Sequence, residues 1–228
     1  MRAARGVYIC MRSEPSSSRE ADVAGHGHDG ADPAPGDQSA PYASDMTAAV
    51  RLLLISGSTR PHSTNTAALR TLRDVAPAKV QASLYAGLTE LPAFIPDEDA
   101  LPPATVEALR RELATADAVV FCTPEYAGSV PGSLKNLLDW TVGSGELYGK
   151  PVAWINVAAE GRGTGAEATM ATVLGYVGGE IITQACVRIP VPRDSVAGDG
   201  AARSDELRAR FAEVLAAIVE HLDRPAGA

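Results

Sequence analysis

A doubly wound α/β fold is the class this sequence predicts: a five-stranded parallel sheet with helices on both faces. Three observations predict it. The runs Leu52–Ile55, Ala118–Cys122 and Val152–Val157 are almost continuously apolar, without the alternation of a strand that meets water on one side, so both their faces are covered. Each leads through a short Gly-, Pro- or Ser-rich stretch into a segment with apolar residues at helical spacing. The alternation repeats along the chain, and five such strand–helix pairs build a parallel sheet.

Taken in order, Leu52-Leu53-Leu54-Ile55 forms the first strand, and a helix runs from Thr64 to Val75 with Leu69, Leu72 and Val75 on one stripe. Val80, Ala82 and Leu84 alternate as a second strand. A long loop containing Leu91-Pro92-Ala93-Phe94-Ile95-Pro96-Asp97 leads to a helix over residues 104–116. The third strand, residues 118–123, breaks on Pro124, Gly128, Pro131 and Gly132 before a helix over 132–142 carrying Leu134, Leu137, Leu138 and Thr141. Val152–Val157 is the fourth strand and 166–176 its helix, with Thr164 and Glu167 spaced as a capping box. A fifth strand spans 181–191, and Ser204 caps a last helix carrying Leu207, Phe211, Val214, Leu215, Ile218 and Leu222.

With 228 residues and 46% hydrophobic content, the folded part buries one good core and is expected as one domain over residues 49–224. The formal charge of −8 and pI near 5.0 argue against nucleic-acid and anionic-membrane partners, which demand a basic face. No apolar run approaches the roughly 18 residues of a membrane helix. Residues 1–18 have no sustained apolar core, so a signal peptide is not expected, and the balance points to a cytoplasmic protein. Of the three cysteines, at 10, 122 and 186, the last two lie in apolar runs and read as small buried hydrophobes.

Residues 1–48 are rich in Ser, Pro, Gly, Asp and Ala without hydrophobic period, the composition of a disordered extension. Met46 precedes the first strand, so residues 1–45 are read as an overextended reading frame or a dispensable tail. His26 and His28, two imidazoles without a thiolate, make a poor metal site.

Three loops carry the chemistry. After strand 1 come Ser56-Gly57-Ser58-Thr59-Arg60-Pro61-His62-Ser63-Thr64-Asn65-Thr66: hydroxyls and an amide at a helix start, with one fixed cation. No Asp or Glu occurs from Arg51 to Arg73. A helix N-terminus favours an anion, hydroxyls add donors and Arg60 adds charge, which together suit a phosphate. The GxxxxGK[ST] spacing is absent. After strand 3 come Pro124, Glu125, Tyr126, Ala127, Gly128 and Ser129, a stiff loop with one aromatic wall. After strand 4, Gly161-Arg162-Gly163-Thr164-Gly165-Ala166 satisfies a dinucleotide fingerprint, but Glu180 precedes its strand instead of ending it, and too little chain follows for a second mononucleotide half.

The segment Thr123–Trp140, TPEYAGSVPGSLKNLLDW, resembles the NAD(P)H-dependent FMN reductase family, whose flavin loop reads close to PEYxxSxPGxLKNxxDW. The first loop resembles that family's GSxRxxSxN phosphate loop, and Leu91–Asp97 its LPxxxxD loop. The resemblance runs from about Arg51 to Leu222 and implies a flavodoxin-like sheet of order 2-1-3-4-5 with FMN at the switch point, where the loops after strands 1, 3 and 4 are neighbours. It implies that Ser58, Arg60, Ser63 and Asn65, with Thr64 and Thr66, hold the phosphate. It further implies that Pro124, Glu125, Tyr126, Ala127 and Gly128 lie along the isoalloxazine ring. Glu160, Gly161 and Gly163 would belong to a loop closing over the pyrimidine edge. Many members carry Asn where this chain has Ala127. Leu134, Leu137, Leu138 and Trp140 read as core or subunit contacts.

A hydrolase is excluded by motif: there is no GxSxG elbow, and Gly128 stands where a CX5R phosphatase loop after Cys122 needs Arg. No HExxH or paired Cys/His spacing suggests a metal enzyme. Two functions are therefore expected. One is an enzyme that reduces FMN with NAD(P)H and passes electrons to a small acceptor: a quinone, azo compound, metal oxyanion or free flavin. No side-chain acid or base is nominated for it, because the cofactor carries the chemistry. The other is a non-catalytic flavodoxin-like electron carrier or flavin-binding interaction module, against which the TxTGxT phosphate loop usual in carriers is missing. By resemblance a homodimer or homotetramer is expected.

Overall fold

The computed structural model describes residues 49–196, 201 and 204–224. The chain divides into two units, residues 1–44 and 45–228, and every described strand and helix belongs to the second. The expectations placed on residues 1–48, including Cys10, His26 and His28, lie outside the described residues.

The strands are β1 (Val50–Ser56), β2 (Val80–Leu84), β3 (Ala118–Cys122), β4 (Pro151–Asn156), β5 (Glu180–Ile181) and β6 (Val187–Arg188). The helices are α1 (Thr64–Asp74), α2 (Ala104–Thr115), α3 (Gly132–Asp139), α4 (Thr164–Tyr176) and α5 (Asp205–Leu222). All strands pair parallel in the order β2-β1-β3-β4-β5, with β6 also on β4, which is the flavodoxin-like order that the family resemblance implies.

Side-chain alternation explains the apolar runs. Leu52 and Leu54 of β1, with Val120 and Cys122 of β3, face α1 and α5, where Leu69, Leu72, Phe211, Val214 and Ile218 close over them. Leu53, Ile55, Val119 and Phe121 point the other way, into Leu109, Leu113, Leu134, Leu137, Leu138, Met170 and Leu174 of α2, α3 and α4. A strand buried on both faces has no polar position to offer, and each fully buried Leu or Phe stabilises the fold by about 1.5–3 kcal/mol.

Three expectations change. The fifth strand is not continuous over 181–191: a 3-10 turn, Thr183–Ala185, separates β5 from β6. That turn buries Ala185 in the core, and β6 re-pairs with Ile155 and Asn156. Helix α3 ends at Asp139, not at residue 142, because Thr141 N–H turns back to the Leu138 carbonyl at 3.1 Å and Val142 N–H to the Asp139 carbonyl at 3.3 Å, three residues back instead of four. The Thr164–Glu167 capping box does not form. Gly163, in the left-handed region at φ 83, takes the N-cap position, and Glu167 turns inward to Asn156 and Arg188.

Trp140 is buried, donates to the Pro92 carbonyl at 2.9 Å and meets Phe94 edge to face. Asn136 accepts from Phe94 N–H and donates to the same Pro92 carbonyl, so α3 fastens the 91–97 loop. With Leu134, Leu137 and Leu138 fully buried, the second half of the Thr123–Trp140 segment is core.

Candidate functional site

The carboxyl ends of β1, β3 and β4 are adjacent, so their three loops share one edge of the sheet. The first is built by capping. Ser63 is the N-cap of α1, its hydroxyl accepting from Asn65 N–H at 3.2 Å and from the Asn65 amide at 3.3 Å. Asn65 is buried, and its carbonyl oxygen accepts from the Cys122 thiol at 3.4 Å, which ties α1 to the end of β3. Ser56 and Thr66 hydroxyls pair at 2.8 Å. Ser56 Oγ also accepts from Ser58 N–H, and Ser58 Oγ from Arg60 N–H, so the loop folds back on itself. Thr64 opens the helix, half-buried. The remaining first-turn N–H groups point out of the helix end, as they must. Arg60 is exposed, and its guanidinium has no partner among the described residues.

The second loop is a two-residue hairpin. Tyr126 and Ser129 exchange backbone hydrogen bonds of 2.9 and 3.0 Å, and Ala127 (φ 51) and Gly128 (φ 75) form the turn between them. Both left-handed values in succession suit glycine or asparagine. Ala127 is the one residue other than glycine with positive φ among the described residues, which gives the Asn expected there a backbone reason as well as a side-chain one. Tyr126 stands half exposed, a wall open to the edge.

Glu125 joins the second loop to the third. Its Oε2 accepts from Gly165 N–H at 2.8 Å and Ala166 N–H at 3.3 Å, capping α4 from across the edge. The Glu125 carboxylate is thus committed to α4, leaving the backbone of this residue for a ligand. The approach is close: a Cβ on Gly165 would lie 2.2 Å from the Gly128 carbonyl oxygen. Ser129 and Thr169 hydroxyls pair at 3.1 Å beside it.

The third loop is held from behind. Asn156 Oδ1 accepts from Ala158 N–H at 2.9 Å, and its amide donates to Glu167 at 2.8 Å and to the Arg162 carbonyl at 3.5 Å. Arg188 donates to Glu167 at 2.9 Å, to the Ala159 carbonyl at 3.3 Å and to the Arg162 carbonyl. Glu160, Gly161 and Arg162 are exposed on the clamped loop, and Gly163 is buried. Asn156 and Arg188 escaped the sequence reading. Asn156, a polar residue ending the apolar strand β4, was a signal; Arg188 sits 21 residues from Glu167 and offered none.

Burial pushes the Cys122 thiol far above its ordinary range and that of Cys186 up to about 11, so neither is a thiolate at neutral pH. Neither forms a disulfide. Among the described residues no group of three His, Cys, Asp or Glu is placed to hold a metal, and no helix is long and apolar enough to cross a membrane.

A model of the NADPH-dependent FMN reductase family matches residues 50–190. Over 111 residues the chain is 39% identical to a quinone reductase of Escherichia coli, covering 47% of this chain and 59% of that one. Over 123 residues it is 39% identical to an NAD(P)H-dependent FMN reductase of Pseudomonas aeruginosa, covering 52% and 65%. The chain therefore spans about three fifths of the length of these relatives. Among solved structures it is similar to FerB, a flavoenzyme NAD(P)H:(acceptor) oxidoreductase from Paracoccus denitrificans, with TM-score 0.65 at 26% identity over 75% of this chain and 98% of that one. An oxidoreductase of Corynebacterium diphtheriae shares the fold, with TM-score 0.53 at 21% identity over 76% and 99%.

Proposed function

The chain belongs to the NADPH-dependent FMN reductase family, and we propose that it binds FMN across these three loops, reduces it with NAD(P)H and passes the electrons to a small acceptor of the quinone class. One observation carries the reading. An acid-free helix start, lined by hydroxyls and by the unpaired Arg60, lies on the same sheet edge as a rigid hairpin with an exposed aromatic wall. The residues fit the cofactor. The α1 N-terminus with Ser58, Arg60, Ser63, Thr64, Asn65 and Thr66 offers donors and charge to a phosphate dianion. Pro124, Glu125, Tyr126, Ala127 and Gly128 offer backbone and a wall to a flat ring, and Glu160, Gly161 and Gly163 offer a loop to its pyrimidine edge.

When bound, FMN would supply the redox chemistry between NAD(P)H and the acceptor. The chain's residues hold and orient: Asn65 and Ser63 fix the phosphate end, while the Glu125 bridge fixes the ring end against α4. No side chain is needed as a proton donor. Quinone reductases and FMN reductases among the relatives favour an enzyme over a carrier. We place it in the cytoplasm as a homodimer or homotetramer. The outer face of α4, with Ala168, Ala171, Thr172 and Tyr176 exposed and uncharged, suits contact with a second copy.

The test is Arg60→Ala. FMN affinity should fall about tenfold, the loss of a charge-assisted phosphate contact, while riboflavin affinity stays the same. Equal weakening of both would contradict the phosphate role.

A further inference from the structure

Arg162 is held in an unusual way for a surface residue. Its backbone is fixed on both sides: the N–H donates to the Ala159 carbonyl at 3.1 Å, and the carbonyl accepts from Arg188 and from the Asn156 amide. Its guanidinium, by contrast, is exposed and has no hydrogen-bond or ion-pair partner among the described residues. The nearby acids are otherwise occupied or out of reach. Glu167 is engaged by Arg188 and Asn156, Glu125 caps α4, and Glu160, exposed on the same loop, makes no ion pair with Arg162. Glu125 already takes the Gly165 and Ala166 N–H groups at the start of α4, and Arg162 is the free cation of this loop. It immediately precedes the α4 N-cap, Gly163. Three residues further on, Gly165 packs against the Gly128 carbonyl of the hairpin.

We propose that the Arg162 guanidinium docks a phosphate of the incoming nicotinamide dinucleotide, either its 2′-phosphate or its pyrophosphate. The inference deepens the proposed flavin reduction by NAD(P)H and rests on it. A dinucleotide that lays its nicotinamide against a ring at the Tyr126–Ser129 hairpin carries its phosphates away from that ring, and the α4 loop is the neighbouring surface. A planar, permanently charged fork on a clamped backbone suits a phosphate and loses little freedom on binding it. On a chain of net charge −8, a local cation also offsets the repulsion that a polyanionic substrate meets.

The experiment uses the FMN-loaded protein as wild type, Arg162→Ala and Arg162→Lys. It reads steady-state kinetics with NADPH and with NADH, and calorimetric titration with 2′,5′-ADP and with ADP. Arg162→Ala should raise KM about tenfold with kcat held, and weaken the matching analogue about tenfold, while Arg162→Lys recovers part of the loss. A 2′-phosphate contact affects NADPH and 2′,5′-ADP alone; a pyrophosphate contact affects both nicotinamides and ADP. Unchanged KM values together with unchanged analogue affinities, or a fall in kcat alone, would overturn the inference. If neither nicotinamide reduces the flavin of the wild type, the proposed function itself fails, and the inference with it; that result is read on the wild type before any variant is compared.

Discussion

Replacing Gly165 by alanine sets two physical effects against each other. Helix propensity favours the change, because glycine inside a helix costs up to about 1 kcal/mol relative to alanine. Packing opposes it. The new methyl carbon would stand 2.2 Å from the Gly128 carbonyl oxygen and 3.1 Å from Glu125 Oε2, where ordinary contact begins at 3.4 Å. The neighbour at 2.2 Å is backbone, so either the hairpin or the start of α4 must move by about 1 Å. Overpacking of that kind costs about 1–3 kcal/mol, and the two Glu125 bonds to α4 loosen with it. The expected outcome is a net loss of about 1–3 kcal/mol, or about 2–12 °C in Tm for a chain of this size. FMN affinity should fall as well, since the hairpin is the proposed ring wall. Gly175, in the same helix with open space around its Cβ position, is the control: its change to alanine should raise Tm. Thermal unfolding and FMN titration of both variants read the outcome. A Gly165→Ala protein that gains stability and binds FMN unchanged would refute the bridge between hairpin and helix.

Two further outcomes rest on side-chain partners. Glu125→Ala leaves Gly165 and Ala166 N–H without their acceptor and should cost about 0.5–2 kcal/mol in chemical denaturation, whereas Glu125→Gln, which keeps an acceptor, should recover most of it. Equal losses in the two would rule out a capping role. At the opposite end of the sheet, burial works against ionisation of Asp117, but hydrogen bonds from Arg51 and its charge outweigh it and hold the carboxyl below its ordinary 3.8. A lowered folded pKa contributes stability that is present above the unfolded value and lost as pH falls through the folded one. With both side chains partly exposed, the pair is worth at most about 1 kcal/mol. The stability gap between wild type and Asp117→Asn should thus be open above about pH 4 and close below it. A gap that persists in acid would contradict the ion-pair origin.

Local pattern made most of the fold legible. Strands buried on both faces betray themselves as unbroken apolar runs, and Ser63 and Ser204 cap α1 and α5 through bonds made within a few residues. What sequence reading missed depends on partners far along the chain. Thr164 and Glu167 have capping-box spacing, but Glu167 is drawn to Arg188 at 2.9 Å and the cap of α4 comes from Glu125, 40 residues away. The break at Thr183–Ala185 leaves no turn signal because a buried alanine serves in a turn as well as in a strand. In the site, the residue types at the α1 end were readable. That Asn65 is locked to Cys122, and that the Glu125 carboxylate faces a helix, was not.

The central claim is that the loops after β1, β3 and β4 hold FMN for reduction by a nicotinamide. Anaerobic mixing of the FMN-reconstituted protein with NADPH or NADH tests it most directly. The protein should take up FMN, turn yellow and be bleached by a stoichiometric amount of the nicotinamide, colour returning when a quinone is added. A protein that takes up no FMN, or whose bound flavin neither nicotinamide bleaches, would contradict it.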